Sequence, residues 1–111
     1  MNTATEAPRK FELGEVAYTS WGYSMTIVDF YVVVKRTQKS VWVAPIASKF
    51  DGPEGIGGGH VLPSDDREPT GQVQRFLIKT DSDGTEWAWM SKLDRSLRIH
   101  TGKPVYYNTY D

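Results

Sequence analysis

The chain has 111 residues, a formal net charge of −1 at pH 7 and no cysteine. This length is typical of one domain, and the lack of cysteine excludes a disulfide scaffold, a thiol nucleophile and a thiolate zinc site. The near-zero charge argues against a polybasic nucleic-acid binder and against an acidic DNA mimic. No apolar run approaches the roughly 20 residues that span a bilayer, so we expect a cytoplasmic protein without a membrane segment.

The chain begins with a polar segment and then turns to strand patterns. Residues 1–10 are small, polar or charged without apolar periodicity, so we expect a flexible arm before a single domain over residues 11–111. Val16 and Tyr18, two positions apart after a glycine, indicate a short first strand.

The strongest strand signal covers residues 27–36, where β-branched and aromatic side chains are almost continuous and cover both faces. Residues 41–47 resume the pattern after a polar connector, so residues 27–47 predict an antiparallel hairpin. Pro45 lacks a backbone donor, which assigns its half of the second strand to a sheet edge or a bulge.

The composition changes over residues 50–71, which are rich in glycine and proline. We expect a long loop here, either a functional flap or a disordered segment, and its excess of acidic residues favours a mobile, solvated loop. Residues 72–79 and 85–90 return to strand patterns, and Asp83-Gly84 predicts a hairpin with a type I′ turn between them. Residues 91–100 fit either a short helix or a final strand.

Five or six short strands without a convincing amphipathic helix predict an all-β domain, with one short helix left open at residues 91–100. A small antiparallel barrel, SH3-like or partly open, fits best because a sandwich calls for more strands. A partly open barrel with an exposed aromatic edge would also benefit from forming a homodimer.

Aromatic residues make up 13% of the chain, and core packing and ligand contact remain alternative roles for each. Trp87 and Trp89 are expected to share one face, whereas Phe30 and Tyr31 must point to opposite faces. The rings of Trp21 and Tyr23 flank Gly22 in the first connecting loop, where large side chains have less reason to lie in the core. With nearby cations, the predicted contact residues are Trp21, Tyr23, Tyr31, Lys35, Arg36 and Lys39.

Basic residues are segregated along the chain. Residues 30–50 carry four basic and no acidic side chains, and residues 92–103 carry four basic side chains against Asp94 alone. If the two stretches are neighbours they form a modest cationic patch; solvated hairpin ends are the alternative.

Motifs for catalysis or metal binding are incomplete. Residues 55–60 lack the Lys-Ser/Thr of a P-loop, and residues 81–86 lack the ligand spacing of an EF-hand. His60 and His100 are far apart in sequence, and no Gly-x-Ser-x-Gly pattern exists. We therefore expect a protein that is not an enzyme and has no metal or cofactor.

Two separated elements carry a family pattern. The first combines Ser-Trp-Gly-Tyr, Thr and Asp-Phe-Tyr-x-Val, here Ser20, Trp21, Gly22, Tyr23, Thr26, Asp29, Phe30, Tyr31 and Val33. The second is Gly-Lys-Pro-x-Tyr with a final aromatic, here Gly102, Lys103, Pro104, Tyr106 and Tyr110. The chain thereby resembles a family of small, mostly uncharacterised proteins encoded by bacteriophages and plasmids. It departs from that pattern at Ser24, Met25 and Ile27 and in its glycine-rich insert.

The resemblance implies a phage or mobile-element accessory protein that binds and blocks a host component. The implied partner is a host-defence protein complex or its nucleotide signal, in the bacterial cytoplasm. The residues themselves support an alternative, a small-barrel nucleic-acid-binding module whose aromatic side chains stack on single-stranded bases.

Overall fold

The computed structural model describes residues 9–21, 27–50, 58–91, 94–102 and 105–108. Its elements are β1 (Val16–Trp21), β2 (Ile27–Arg36), β3 (Ser40–Ile46), β4 (Ser48–Phe50), β5 (Gly58–Pro63), β6 (Gln74–Thr80), β7 (Glu86–Met90), β8 (Arg95–Ile99) and β9 (Val105–Asn108). No helix occurs within these ranges, and hence none that is long and apolar enough to cross a membrane. The all-β prediction is confirmed.

Six strands close into one barrel in the order β1, β2, β3, β6, β7 and β8, and β4, β5 and β9 form a separate three-stranded sheet. Each neighbouring pair in the barrel is antiparallel. The predicted small antiparallel barrel is confirmed, but it is closed rather than partly open. Closure comes from β8, which returns to pair with β1 at Ala17↔Ile99 and Tyr18↔Arg98.

Both faces of β2 are buried, as its continuous apolar sequence predicts. Tyr31 and Val33 belong to the cluster inside the barrel. Phe30 and Val32 belong to a second cluster, which includes Val61 of β5. The three-stranded sheet therefore covers the outer face of β2, and alternate residues of one strand enter two different cores.

The predicted hairpin over residues 27–47 is formed by β2 and β3. Pro45 lies in the part of β3 beyond the β6 ladder, which ends at Val43↔Gln74. Its carbonyl oxygen accepts a hydrogen bond of 2.7 Å from the backbone N–H of Thr70. Pro45 thus occupies an edge position, where its missing N–H breaks no ladder bond.

Part of the loop predicted over residues 50–71 is a strand in the structure, whereas residues 51–57 lie outside the described part of the chain. Gly58–Pro63 form β5, which pairs with β4 on one side and with β9 on the other. Val61 anchors this strand because its side chain is 7% exposed in the second cluster. The local composition, rich in glycine, does not indicate a strand. In addition, the ladder between β5 and β9 joins residues more than 40 positions apart.

The β6–β7 hairpin lies where Asp83-Gly84 predicts it, but the turn type differs. Gly84 has φ of +90°, and the non-glycine residues with positive φ do not include Asp83, which a type I′ turn requires. The Gly84 N–H donates to the Asp81 carbonyl at 2.9 Å, and the Asp81 N–H donates to the Thr85 carbonyl at 2.9 Å. This is a three-residue hairpin loop that ends on a left-handed glycine.

Of the helix and strand alternatives at residues 91–100, the structure contains the strand, β8. Asp94 has φ of +55°, which no right-handed helix accommodates, and Leu97 is fully buried in the barrel. Packing of Leu97 in the barrel core thus selects the strand in a segment whose local pattern fits either a helix or a strand.

One end of the barrel is closed by the residues before β1. Phe11 is 2% exposed and packs in the interior cluster. The Glu86 N–H donates to the Arg9 carbonyl at 2.9 Å, so the last part of the predicted arm is hydrogen-bonded to β7. Residues 1–8 of that arm lie outside the described part of the chain.

Candidate functional site

The predicted contact residues lie in different environments. Trp21 is the last residue of β1, where its backbone pairs with Ile27, and its side chain lies outside the described part of the structure. Tyr23 also lies outside the described residues. Tyr31 is 7% exposed and belongs to the interior of the barrel, so its ring is part of the core.

Two charged side chains near Tyr31, those of Asp29 and Arg95, form an ion pair near the start of β2. Arg95 Nη1 lies 3.3 Å from Asp29 Oδ2. Burial raises the pKa of the Tyr31 phenol and the negative charge of Asp29 adds to this, while Arg95 opposes it. Thr19, opposite Asp29, is fully buried. This end of the barrel therefore combines the buried side chains of Tyr31 and Thr19 with an ion pair whose Asp29 side chain is 44% exposed.

The predicted cations lie at the other end of β2. Trp21 pairs with Ile27, whereas Arg36 pairs with Val41 at the far end of the same strand. A strand of this length rises about 3.3 Å per residue, so roughly 30 Å separates the two groups. Along β2, which has a bulge between Val33 and Lys35, the cations thus lie far from the backbone of Trp21. Tyr23 and the Trp21 side chain lie outside the described residues.

The three predicted cations also differ in their contacts. Arg36 donates from Nη1 to Glu86 Oε1 at 2.6 Å and from Nη2 to Oε2 at 3.2 Å, and Nη1 also donates to the Phe11 carbonyl at 2.9 Å. Arg36 thus helps to fix the segment that closes the barrel. Lys35 lies with Nζ 4.8 Å from the centroid of the Trp42 ring, and Lys39 is exposed.

A groove opens at the seam between β1 and β8. The strands pair at Ala17↔Ile99 and Tyr18↔Arg98 and then separate. The resulting cavity has a volume of about 540 Å³. This seam groove is lined by Tyr18, Ser20, Trp89, Asp94, Arg95, Ser96 and Arg98.

Trp89 is the aromatic residue that the seam groove presents to solvent. Its side chain is 38% exposed because Ala88 and Met90, its neighbours in β7, take the inward positions of the strand. Trp87 also points outward, so the prediction that Trp87 and Trp89 share one face is confirmed. Guanidinium groups and hydroxyls complete a groove that offers an apolar surface beside hydrogen-bond donors.

A second surface is formed by cations that alternate with aromatic rings across the sheet. Lys79, Trp87 and Arg98 are successive partners on β6, β7 and β8. Lys35, Trp42 and Arg75 are successive partners on β2, β3 and β6. These residues form an outward-pointing band that extends over five of the six strands of the closed barrel. We call this band the cation–aromatic face and define it by Lys35, Trp42, Arg75, Lys79, Trp87 and Arg98.

Sequence reasoning did not identify this face, because the register of four strand pairings creates it. Arg98 Cζ lies 5.1 Å from the centroid of the Trp87 ring, although the two residues belong to separate strands. The local signal is the outward alternation of Arg75, Leu77 and Lys79 along β6. That alternation shows which side chains share a face but not which rings lie beside them.

Carboxylates neutralise much of the two basic stretches. Besides Arg36 and Arg95, Lys49 Nζ lies 2.7 Å from Asp65 Oδ1 and Arg98 Nη1 lies 3.2 Å from Asp81 Oδ2. The described members of the two stretches therefore do not form one uniform cationic patch, and Lys92 and Lys103 lie outside the described residues.

The histidines occupy separate places in the fold. The His100 ring lies edge-on to Phe30, with a centroid distance of 5.3 Å, whereas His60 is on β5 opposite Tyr106. Within the described ranges, no group of three or more His, Asp or Glu side chains is arranged to hold a metal ion.

Comparison of the chain with protein-family models, with curated proteins and with solved structures gave no match.

Proposed function

We propose that this protein is a non-enzymatic accessory protein of a phage or mobile element, and that it binds and blocks a host component through the seam groove. The observation that supports this proposal is the exposed Trp89 beside Arg95 and Arg98 in a groove of about 540 Å³. Tryptophan and arginine are the residue types that contribute most to the free energy of protein binding. The blocking role itself comes from the family resemblance.

The charges of the groove favour a host protein, such as a component of a defence complex, over a polyanion. Arg95 and Arg98 are each paired with a carboxylate, and Asp94 also lines the groove. A polyanion would have to displace or tolerate these carboxylates. A protein surface can instead match a mixture of positive and negative groups with its own.

The test is affinity capture from a bacterial lysate with the wild-type protein and two variants. Trp89→Ala removes the exposed indole of the groove. Leu13→Ala is the matched control, because Leu13 is 66% exposed and lies in the turn before β1, away from the groove. We expect a stoichiometric host protein with wild type and Leu13→Ala, and at least a tenfold smaller amount with Trp89→Ala.

Circular dichroism of Trp89→Ala will establish that the barrel is intact. If the variant captures the same protein in the same amount, the seam groove is not the contact surface and the proposal fails. Nucleotides extracted from the captured material provide a second readout. A nucleotide lost with Trp89→Ala, without any host protein, would replace the protein partner by a nucleotide signal.

A further inference from the structure

We infer that the cation–aromatic face binds single-stranded nucleic acid. This inference concerns a surface that borders the seam groove and shares Arg98 with it, but it does not depend on the function proposed for the groove. Three observations carry it: its cations are exposed and its indole rings are partly exposed, its charge is predominantly positive, and its cations alternate with the indole rings.

The outer side of the barrel is covered unevenly. The second cluster, with Phe30, Val32 and Ala44, packs beneath Val61 of β5. On β6, by contrast, Leu77 points outward between the cations of the face and is 56% exposed. The described part of the chain thus covers β2 and β3 near the second cluster and leaves the outer side of β6 accessible to a ligand.

The charge of the cation–aromatic face is mainly positive. Lys35, Arg75 and Lys79 are exposed and form no ion pair with a described residue. Arg98 is paired with Asp81 in the β6–β7 turn. Although the chain as a whole carries a net charge of −1, these exposed cations complement an anionic partner.

The alternation of rings and cations identifies the kind of anion. Trp42 lies between Lys35 and Arg75, and neighbouring strands are about 4.8 Å apart, so each indole has a cation on either side at one strand spacing. Single strands expose flat bases that stack on aromatic side chains while their phosphates contact Lys and Arg. In a duplex the bases already stack on one another, so a duplex could use only the cations of this face.

The measurement is fluorescence anisotropy of a labelled 15-nucleotide thymidine oligomer, with a uridine oligomer and a 15-base-pair duplex as comparisons. Three phosphate contacts, from Lys35, Arg75 and Lys79, predict a slope of about −2.1 in a plot of log K against log salt, or roughly 18-fold weaker binding at 200 mM than at 50 mM salt. Similar affinities for the two single strands are expected, because stacking does not require the 2′-hydroxyl.

Two variants separate stacking from charge. Trp42→Ala should weaken binding by about fivefold or more at either salt concentration, since it removes one stacking surface. Lys79→Gln should reduce the magnitude of the salt slope by about 0.7. The matched control is Lys49→Gln, because Lys49 lies on β4 and is paired with Asp65, away from the face; it should leave both the affinity and the slope unchanged.

Thermal unfolding of each variant will show that it is folded. The inference is overturned if the wild-type protein does not bind the oligomers at 50 mM salt, or if Trp42→Ala and Lys79→Gln bind as the wild type does. Equal affinity for the duplex would also overturn it, since that result describes a phosphate-binding surface without stacking. Trp89→Ala should bind the oligomers normally, so a failed lysate capture and a failed oligomer titration are independent outcomes.

Discussion

Replacing Glu86 by glutamine tests how the residues before β1 are held at the end of the barrel that they close. Glu86 is 7% exposed and accepts hydrogen bonds from the Phe11 N–H at 2.9 Å and from two nitrogens of Arg36. The closing segment, the start of β7 and the end of β2 thus meet at one carboxylate. Glutamine keeps the shape but removes the charge, and its amide group would point one donor at another on Arg36.

The expected cost follows from the burial of the pair. Exposed ion pairs contribute about 0–1 kcal/mol, whereas breaking a buried pair costs about 3–5 kcal/mol. The Arg36 side chain is 23% exposed and the Glu86 side chain 8%, so water can reach the guanidinium but hardly the carboxylate. We therefore expect Glu86→Gln to lower the free energy of unfolding by about 2–3 kcal/mol.

The assay is urea unfolding at pH 7, followed by tryptophan fluorescence. With an m value of about 1–1.5 kcal/mol/M, the midpoint should fall by roughly 2 M urea. The control is Asp81→Asn, because Asp81 and Arg98 form a pair whose side chains are 42% and 46% exposed; its cost should stay within about 1 kcal/mol. Equal midpoint shifts for the two variants would refute the reasoning that burial sets the cost.

Two further predictions concern the same end of the barrel. Burial raises the pKa of Glu86, but the hydrogen bonds from Arg36 and Phe11 and the attraction to Arg36 and Lys10 outweigh it and hold the pKa below its ordinary value of 4.5. The ionised carboxylate therefore stabilises the fold fully above pH 4.5, and this stabilisation is lost as the pH falls through the lower folded pKa; urea midpoints measured from pH 7 to pH 3 should decline less for Glu86→Gln than for wild type. Phe11→Ala should cost about 3–5 kcal/mol in the same assay because the ring is 2% exposed, whereas Leu13→Ala should cost less than about 1 kcal/mol; similar losses for both would mean that Phe11 does not close the barrel.

Strands with a strong local pattern were predictable from the sequence. The apolar run of β2 indicates a strand that is buried on both faces, and the structure confirms this with Phe30 and Tyr31 in separate cores. The strand β5 was not predictable, because glycines at its start provide no side-chain pattern and its partner β9 is distant in sequence. Non-local pairing and the burial of Val61, rather than local propensity, define that element.

The candidate surfaces were predictable only in part. The outward direction of Trp87 and Trp89 follows from the alternation of a strand, but the cations beside Trp87 depend on the register of β7 with β6 and β8. Likewise, the sequence does not indicate that Arg36, next to Lys35, forms a partly buried ion pair. Its partner Glu86 is 50 positions away and becomes visible only when the barrel closes.

The net charge of the chain adds together charges that the barrel places in different parts of the structure. Arg36 pairs with Glu86 and Arg95 pairs with Asp29, so these charges cancel within ion pairs near the two ends of β2. The outward positions of β6 hold Arg75 and Lys79 without a carboxylate beside them on that strand. A value of −1 for the whole chain therefore argues against a uniformly basic protein but says little about one face. The salt dependence of oligomer binding measures the charge of that face directly, which the isoelectric point does not.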